Sequence, residues 1–499
     1  MPSSRSRSLS GALIQGSVWA IAIRWGAKFL GLISLGICAR ILTPADYGLV
    51  NMAMVVVGFS QVLVEFGMDS ALIRNRDATS GHYDTAWSIK VMQTLLISVI
   101  VFSAAPLAAK AYDDSRVMPI MFAVGAAGLV GGLQNIYVVN FRKELDFRRD
   151  FLFSFAPRLV SFVVSVSAVL ALRTYWGLVL GICSAEVTRS LLSYRLVTQR
   201  PRWSLQHWRE LTGFSVWYFL DGLAQYAVNH LDRAYIGKAG GSEQVGLYAV
   251  GREVATLPST ELVMPIGRAL MPTLASLNNQ KDRQIAAIQK AIAGVNLIAV
   301  PLAVGFALVA SEFVRLLFGD KWMGATPIVA IFSLTAMTSG FRYTAQQTLV
   351  VLGFVRVNAA LSWGYAVTVL ALIIPAFSWQ GVMGVAWLYC SWTFVSTAAF
   401  GFYLIRLKVL QGREVWIALL RVVVSAAVMF VAVSAVAKYL DGPVVLVLIV
   451  KVLLSILVYG GLVYLFWVLA GRPDSSERII LEHAAAAWKK ISKPLKRFS

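Results

Sequence analysis

The chain is poor in the groups that carry metal or covalent chemistry. Its 499 residues include only 3 cysteines and 4 histidines. The cysteines form neither a CxxC motif nor a disulfide framework, because they fall in separate apolar stretches at Cys38, Cys183 and Cys390. The histidines are scattered without metal-ligand spacing, at His82, His207, His230 and His483. The sequence therefore predicts no metal site and no cofactor.

Charge is also scarce, and acidic residues are the scarcer sign. Charged residues make up 14% of the chain, and 45 basic against 25 acidic residues give a net charge of +20. Hydrophobic residues make up 58%, with a mean hydropathy of +0.70. One soluble core cannot bury that much apolar surface, and repeated apolar runs of about 20 residues indicate transmembrane helices. The basic residues are spread over short loops without a soluble basic domain, so we expect no nucleic-acid partner.

The amino-terminal apolar stretch does not have the pattern of a cleavable signal. It runs from about Gly11 to Cys38, which is too long for a signal core, and no small-residue cleavage site stands out. We expect this first helix to remain in the mature protein.

The hydropathy pattern predicts an all-α polytopic membrane protein with about fourteen transmembrane helices. The seventh, eighth and tenth are the least apolar, and twelve or thirteen helices is the alternative count. The predicted limits are 16–38, 45–69, 86–108, 117–140, 151–172, 175–196, 211–236, 245–272, 286–309, 325–345, 356–376, 380–405, 415–437 and 443–470.

The distribution of basic residues predicts the orientation. If the amino end is cytoplasmic, the inside loops and tail hold 26 lysines and arginines against 9 outside. This is the asymmetry of the positive-inside rule, and it predicts a multi-pass protein with both termini in the cytoplasm. The basic tail, residues 472–499, is expected to lie on the anionic lipids of that leaflet.

An internal repeat links the two halves of the chain. Without gaps, residue n matches residue n+198, so that Ser17-Val18-Trp19 meets Ser215-Val216-Trp217 and Gly48-Leu49 meets Gly246-Leu247. Six helices separate the copies, so the repeat is parallel. It predicts an N-terminal lobe (1–198, helices 1–6) and a C-terminal lobe (199–410, helices 7–12). Two extra helices (411–471) and the tail (472–499) follow.

Each copy of the repeat contains a short turn. In the first copy Pro44 cannot continue helix 1 but suits the first turn of helix 2, with Thr43 as its cap. The second copy uses Gly240-Gly241-Ser242 for the same reversal.

These motifs resemble a known family of exporters. The residues Arg40-Ile-Leu-Thr-Pro-Ala-Asp-Tyr-Gly-Leu49 and Glu65-Phe-Gly-Met-Asp-Ser-Ala-Leu72, with Leu231-Asp-Arg-Ala-Tyr-Ile-Gly237 and Val245-Gly-Leu-Tyr248, are similar to Wzx-type flippases. These belong to the polysaccharide transport family of the multidrug/oligosaccharidyl-lipid/polysaccharide superfamily. The resemblance implies alternating-access export of polyprenyl-pyrophosphate-linked oligosaccharide units for surface polysaccharide (exopolysaccharide, capsule or O-antigen). Such a flippase would have membrane lipids around it and a polysaccharide polymerase and chain-length machinery as possible partners.

A pyrophosphate-linked substrate needs cations within the membrane. Arg24 and Lys28 lie four residues apart near the middle of helix 1 and therefore share a helix face. Their depth predicts an anion-binding surface, although pairing with an acid is the alternative. Arg158 in helix 5 and Arg252 in helix 8 are further candidates for binding pyrophosphate, since the arginine fork matches phosphate oxygens.

Helix 7 offers polar groups in place of that cationic pair. We expect Asp221, Gln225 and Asn229 to line the cavity, where Asp221 either pairs with an arginine or binds a coupling cation. Glu186 and Arg189 are expected to neutralise each other on helix 6. Charges near the predicted helix ends are expected to reach water, as at Glu65, Asp69, Arg268 and Arg342, and Asp232-Arg233 is expected to be an interfacial pair.

Two other functions remain as alternatives. A cation-coupled drug or metabolite exporter has the same architecture but needs a coupling acid rather than a cationic cavity. An enzyme is disfavoured, because we find neither a nucleophile with a base nor a glycine loop for phosphate, and the predicted outer loops are short.

Overall fold

The computed structural model of the chain describes residues 9–64, 68–75, 77–144, 146–212, 215–263, 281–410, 412–471 and 478. The described residues are helical and contain no β-strand. They form two compact units. The first unit is Met1–Leu247 with Leu317–Lys321, and the second is Tyr248–Leu316 with Trp322–Ser499.

Ten helices begin among the described residues of the first unit. In chain order they are α1 (Leu9–Ile41), α2 (Pro44–Val64), α3 (Met68–Arg74), α4 (Ser80–Ala111), α5 (Val117–Gly132), α6 (Asn140–Lys143), α7 (Phe147–Leu172), α8 (Trp176–Leu196), α9 (Trp208–Thr212) and α10 (Ser215–Pro258). A 3-10 turn (Ile136–Val139) precedes α6, and a π-helical turn (Ser259–Val263) follows α10.

Seven helices follow in the rest of the described chain. They are α11 (Lys281–Leu308), α12 (Ala310–Phe318), α13 (Thr326–Met337), α14 (Ser339–Val351), α15 (Val355–Arg406), α16 (Arg413–Ala437) and α17 (Val444–Leu469), with a 3-10 turn (Asp320–Ala325) before α13. Helix α11 packs against α13, α14 and α16, and α16 packs against α17.

The two longest helices are each broken by a glycine in a left-handed conformation. Gly241 has φ 78° within α10, and Gly381 has φ 58° within α15. Residues with a β-carbon rarely adopt these angles, so glycine permits the break. The break at Gly241 falls within the turn predicted at Gly240–Ser242 and separates predicted helices 7 and 8, and the break at Gly381 separates predicted helices 11 and 12.

The described chain contains seven helices that are long and apolar enough to cross a membrane, or up to nine if each of two bent pairs counts as one span. The pairs are bent by 75° between Gly132 and Ile136, and by 41° between Met337 and Ser339. The remaining predicted segments overlap α1, α8 and the two parts of α10. The chain is therefore an all-α, multi-pass membrane protein, as the sequence predicts.

Small residues let α7 and α8 approach closely. Gly177 and Gly181 lie four residues apart on α8, and a β-carbon on either would overlap α7 at Val169 or Ser165. In a membrane, helices associate by such close packing rather than by apolar burial, because lipid is as apolar as a leucine side chain. Helix α7 also packs against α1, where Gly26 contacts the ring of Phe155.

The start of α2 is capped as the sequence predicts. The Thr43 Oγ1 accepts a hydrogen bond from the Asp46 amide at 3.3 Å, and the Asp46 carboxylate accepts one from the Thr43 amide at 2.9 Å. This reciprocal arrangement is a capping box, and it satisfies amides that a helix start leaves unpaired.

Candidate functional site

A polar cavity of about 550 Å³ lies within the first unit. Helices α2, α4, α5 and α8 provide most of its wall, and its lining includes the glycines Gly125, Gly128, Gly131 and Gly132. These glycines add no side chains, so one wall of the cavity is largely the α5 backbone. The volume falls within the range of small-molecule sites in proteins, about 300–1,000 Å³.

Two ion pairs face this cavity from different helices. The Lys90 Nζ on α4 lies 3.3 Å from the Asp69 carboxylate on α3, and the Arg189 Nη1 lies 2.8 Å from the Glu186 carboxylate on α8. The second pair confirms the predicted neutralisation of Glu186. Asp69 does not simply reach water from a helix end, since Lys90 engages it. Charges within a membrane protein are stabilised by such pairing or by water.

Uncharged polar groups complete the lining. Gln61, Gln93 and Gln134 contribute amides, and Thr94 contributes a hydroxyl. The Nε2 of Gln93 is buried and makes no hydrogen bond among the described residues. An amide offers both donors and an acceptor, so this wall can bind ligands that carry several hydroxyl groups.

Two of the predicted cations, Lys28 and Arg158, lie at a common level outside that cavity. Lys28 is 13 residues before the end of α1 at Ile41, and Arg158 is 14 before the end of α7 at Leu172. At 1.5 Å per residue, both are about 20 Å from those ends. The helices pack near Gly26 and Phe155, and the topology predicted from the sequence gives both the same direction. Lys28 is half-buried and Arg158 exposed, and neither has an ion-pair partner among the described residues.

The other predicted site residues have different surroundings. The Arg252 guanidinium, in the second unit, is half-buried and lies 4.8 Å from the centre of the Tyr389 ring and 5.6 Å from that of Phe332. These distances suit cation–π contacts. Asn229 on α10 is exposed. The side chains of Arg24, Asp221 and Gln225 lie outside the described part of the structure.

Residues 37–327 match the sequence profile of a family described as "Polysaccharide biosynthesis protein". The chain belongs to this family. Among its relatives is the lipopolysaccharide biosynthesis protein WzxC of Escherichia coli (strain K12), 22% identical over 338 residues, or 66% of this chain and 68% of WzxC. Another is the teichuronic acid biosynthesis protein TuaB of Bacillus subtilis (strain 168), 19% identical over 390 residues, or 77% of this chain and 80% of TuaB.

A solved structure shares the fold of this polysaccharide biosynthesis family member. The lipid II flippase MurJ, in an inward closed conformation, superposes with a TM-score of 0.74 at 11% identity. The match covers 91% of this chain and 99% of MurJ. At that identity the likeness shows the fold alone.

Several charged groups that the structure pairs were not predicted from the sequence. One is Lys90, whose partner lies on another helix. Another is Lys451, whose Nζ lies 2.6 Å from the Glu312 carboxylate with both side chains largely buried. The prediction that Asp232 belongs to an interfacial pair stays a prediction, and the structure adds that Asp232 is 0% exposed and accepts a hydrogen bond from the Arg233 amide at 2.8 Å. A lone charge in an apolar run was the available signal for Lys90 and Lys451.

Proposed function

We propose that this chain is a flippase that moves polyprenyl-pyrophosphate-linked oligosaccharide units across the bacterial inner membrane for surface polysaccharide synthesis. Its family and its multi-pass helical fold support transport of a lipid-linked substrate. Both termini lie in the cytoplasm in this proposal, following the basic residues of the loops. A polysaccharide polymerase and chain-length machinery would receive the exported units.

The observation that carries the proposal is the level shared by Lys28 and Arg158. Two cations without an acidic partner among the described residues lie about 20 Å from the same ends of two packed helices. Cations at that depth are costly unless water or an anion accompanies them. A pyrophosphate supplies that anion, and it binds through charge-assisted hydrogen bonds.

The remaining candidate residues keep the roles expected from the sequence. Arg24 adds a cation for the pyrophosphate on the helix that carries Lys28, Arg252 is a separate candidate in the second unit, and Asp221, Gln225 and Asn229 supply polar groups for the glycan or a coupling cation. The cavity of the first unit would accept a sugar, because its amides and hydroxyl can pair with sugar hydroxyls. The lipid tail stays in the bilayer while the substrate crosses by alternating access.

Substitution of the two cations tests the proposal. Lys28→Gln and Arg158→Gln each remove charge-assisted hydrogen bonds, at about 1.5–3 kcal/mol, so we expect binding of polyprenyl pyrophosphate in detergent to weaken by about 10–100-fold. The double variant should fail to restore surface polysaccharide in a strain that lacks the gene, at unchanged protein level in the membrane.

The matched control is Arg148→Gln, which removes an exposed arginine from the first turn of the same helix, α7. It should retain binding and export. Normal polysaccharide export by the double variant would contradict the proposed pyrophosphate site. Loss of a drug-resistance phenotype, with polysaccharide unchanged in the gene deletion itself, would contradict the flippase function.

A further inference from the structure

Three side chains converge where the segment after α8 meets the start of α4. The His82 Nε2 lies 3.0 Å from the Glu210 Oε2, and the His207 Nδ1 lies 3.3 Å from the Glu210 Oε1. The potential ligand atoms of all three residues lie within 4.8 Å of one another. His82 is buried, His207 is half-buried and Glu210 is exposed, so the group lies at an accessible edge. The expectation of scattered histidines is wrong for this pair, because folding joins positions that are 125 residues apart (207 − 82).

The spacing suits a single small divalent cation. Zinc binds histidine nitrogen and carboxylate oxygen at about 2.0–2.2 Å in tetrahedral geometry, which places two ligand atoms about 3.3–3.5 Å apart. The two nitrogen–oxygen distances, 3.0 and 3.3 Å, are close to that separation. Two histidines and one carboxylate form a common zinc ligand set that leaves a fourth position for water.

The surroundings can hold both rings in the required orientation. The His82 Nδ1 accepts a hydrogen bond from the Thr79 amide at 3.2 Å and lies 2.9 Å from the Thr79 Oγ1. A cation on Nε2 requires the ring proton to move to Nδ1, where the Thr79 Oγ1 can accept it in place of the amide contact. Such an acceptor behind a metal-bound histidine fixes its tautomer. The His207 ring stacks on the His82 ring, with 3.9 Å between centroids. It lies over Gly81, where a β-carbon would come within 3.1 Å of the His207 Nε2.

The same segment is attached to α4 by its backbone. The amides of Arg202, Ser204 and His207 donate hydrogen bonds to side-chain oxygens of Asp84, Ser88 and Thr85, at 2.9, 2.9 and 3.3 Å. The cluster lies at the end of this row, just before the chain continues through α9 towards α10. A cation there would fasten the last part of the segment.

We propose that His82, His207 and Glu210 bind one divalent cation of the zinc type, which fastens the segment 197–212 to the start of α4. The site is distinct from the residues proposed to bind the lipid-linked substrate. Its role is structural, since it joins the connection between the two repeat halves to the first of them. The inference does not depend on what the protein transports.

Direct metal binding tests this site. The full chain, purified in detergent with a tag that contains no histidine, would be stripped with a chelator and titrated with Zn²⁺ by calorimetry and with Co²⁺ by visible absorption. We expect one equivalent of each, with Co²⁺ bands typical of four- or five-coordinate nitrogen and oxygen ligands. Because a cation that binds only the folded state stabilises it, thermal stability should rise with Zn²⁺ concentration.

Variants separate this cluster from adventitious binding. His207→Gln and Glu210→Gln should each abolish the single equivalent and the Zn²⁺-dependent gain in stability. The control His230→Gln, which removes a histidine on α10 that stacks on Tyr226, should retain both. Failure of the unmodified chain to bind one Zn²⁺, or equal binding by His207→Gln, would overturn the proposal. Neither measurement uses transport, so the result is independent of the flippase proposal.

Discussion

Gly48 and Gly246, which occupy equivalent positions in the internal repeat, pack backbone to backbone. A β-carbon on Gly48 would overlap the carbonyl of Ser242, and one on Gly246 would overlap the carbonyl of Pro44. Each glycine therefore permits the other's helix to approach. In the sequence the repeat consists of identical residues 198 positions apart. In the fold, two of these residues, Gly48 and Gly246, form one contact between α2 and α10.

Neighbouring contacts reinforce this helix crossing. The Arg233 Nη1 on α10 donates to the Asn51 Oδ1 on α2 at 3.3 Å, and the Tyr226 hydroxyl donates to the Val55 carbonyl.

The segment before α13 contacts the end of α1. The Lys321 Nζ donates to the Arg40 carbonyl at 2.9 Å, and the Arg40 Nε donates to the Leu317 carbonyl at 3.3 Å. The connections after predicted helices 1, 7 and 9 thus lie together, as residues on one side of the membrane should.

We predict that Gly48→Ala separates α2 from α10. The added methyl overlaps backbone, and such overpacking costs about 1–3 kcal/mol. In an Asn51→Cys background, labelling by a membrane-impermeant maleimide applied from the predicted outer side should increase. Gly31→Ala is the control, since a β-carbon at Gly31 meets nothing within 4 Å. Unchanged labelling in Gly48→Ala would show that the helices tolerate the methyl group and that close contact is not required.

The cavity of the first unit offers a test by filling. Gly128 lines it, and a β-carbon there meets nothing within 4 Å, so Gly128→Leu should fold while occupying cavity volume. We expect export of surface polysaccharide to fall, because the leucine displaces the polar ligand and cannot form its hydrogen bonds. Gly460→Leu on α17 is the matched control, because its β-carbon also meets nothing within 4 Å. Full export by Gly128→Leu at normal protein level would exclude a role for this cavity.

The Lys451–Glu312 pair predicts a large loss of stability when one partner is removed. Their side chains are 11% and 15% exposed, so Glu312→Gln leaves a buried ammonium without its counter-charge. We expect the free energy of unfolding to fall by about 3–5 kcal/mol. Arg149→Gln breaks the Arg149–Asp146 pair, in which the side chains are 58% and 38% exposed, and should cost about 0–1 kcal/mol. Unfolding in mixed detergent micelles would measure the loss of stability in both variants. Similar losses in Glu312→Gln and Arg149→Gln would contradict the expectation that the buried pair contributes more than the exposed pair.

Acid should loosen the segment 197–212. Hydrogen bonds from His82 and then His207 lower the pKa of the exposed Glu210. A carboxylate with a lowered pKa stabilises the fold above its ordinary pKa, and this contribution is lost as pH falls through the lowered value.

Hydrogen exchange would measure that loosening. With chelator present and rates corrected for intrinsic pH dependence, the amides of Arg202, Ser204 and His207 should keep their protection at neutral pH and lose part of it in acid. Glu210→Gln should remove most of the pH dependence between those limits. Equal acid sensitivity in that variant would show that Glu210 is not the group responsible for the effect.

Features within one helix or turn were predictable from the sequence. The Thr43 cap, the helix break at Gly241 and the Glu186–Arg189 pair follow from backbone preferences or from spacing along one helix. The lone charge at Lys90 was visible but its partner Asp69 was not, because a hydropathy pattern indicates which face of a helix is polar but not which helix it meets. The stacking of His82 on His207 has the same origin, since it depends on the path of a connecting segment.

The attachment of that connecting segment has a consequence for how such proteins diversify. Asp84, Ser88 and Thr85 accept hydrogen bonds from amides, so they recognise the path of the chain rather than the identity of its side chains. Most substitutions at positions 202 and 204 would preserve the bonds, whereas proline would remove them. A chimaera in which segment 197–212 comes from a relative should therefore still attach this segment to α4, even if the two parental connectors share few residues.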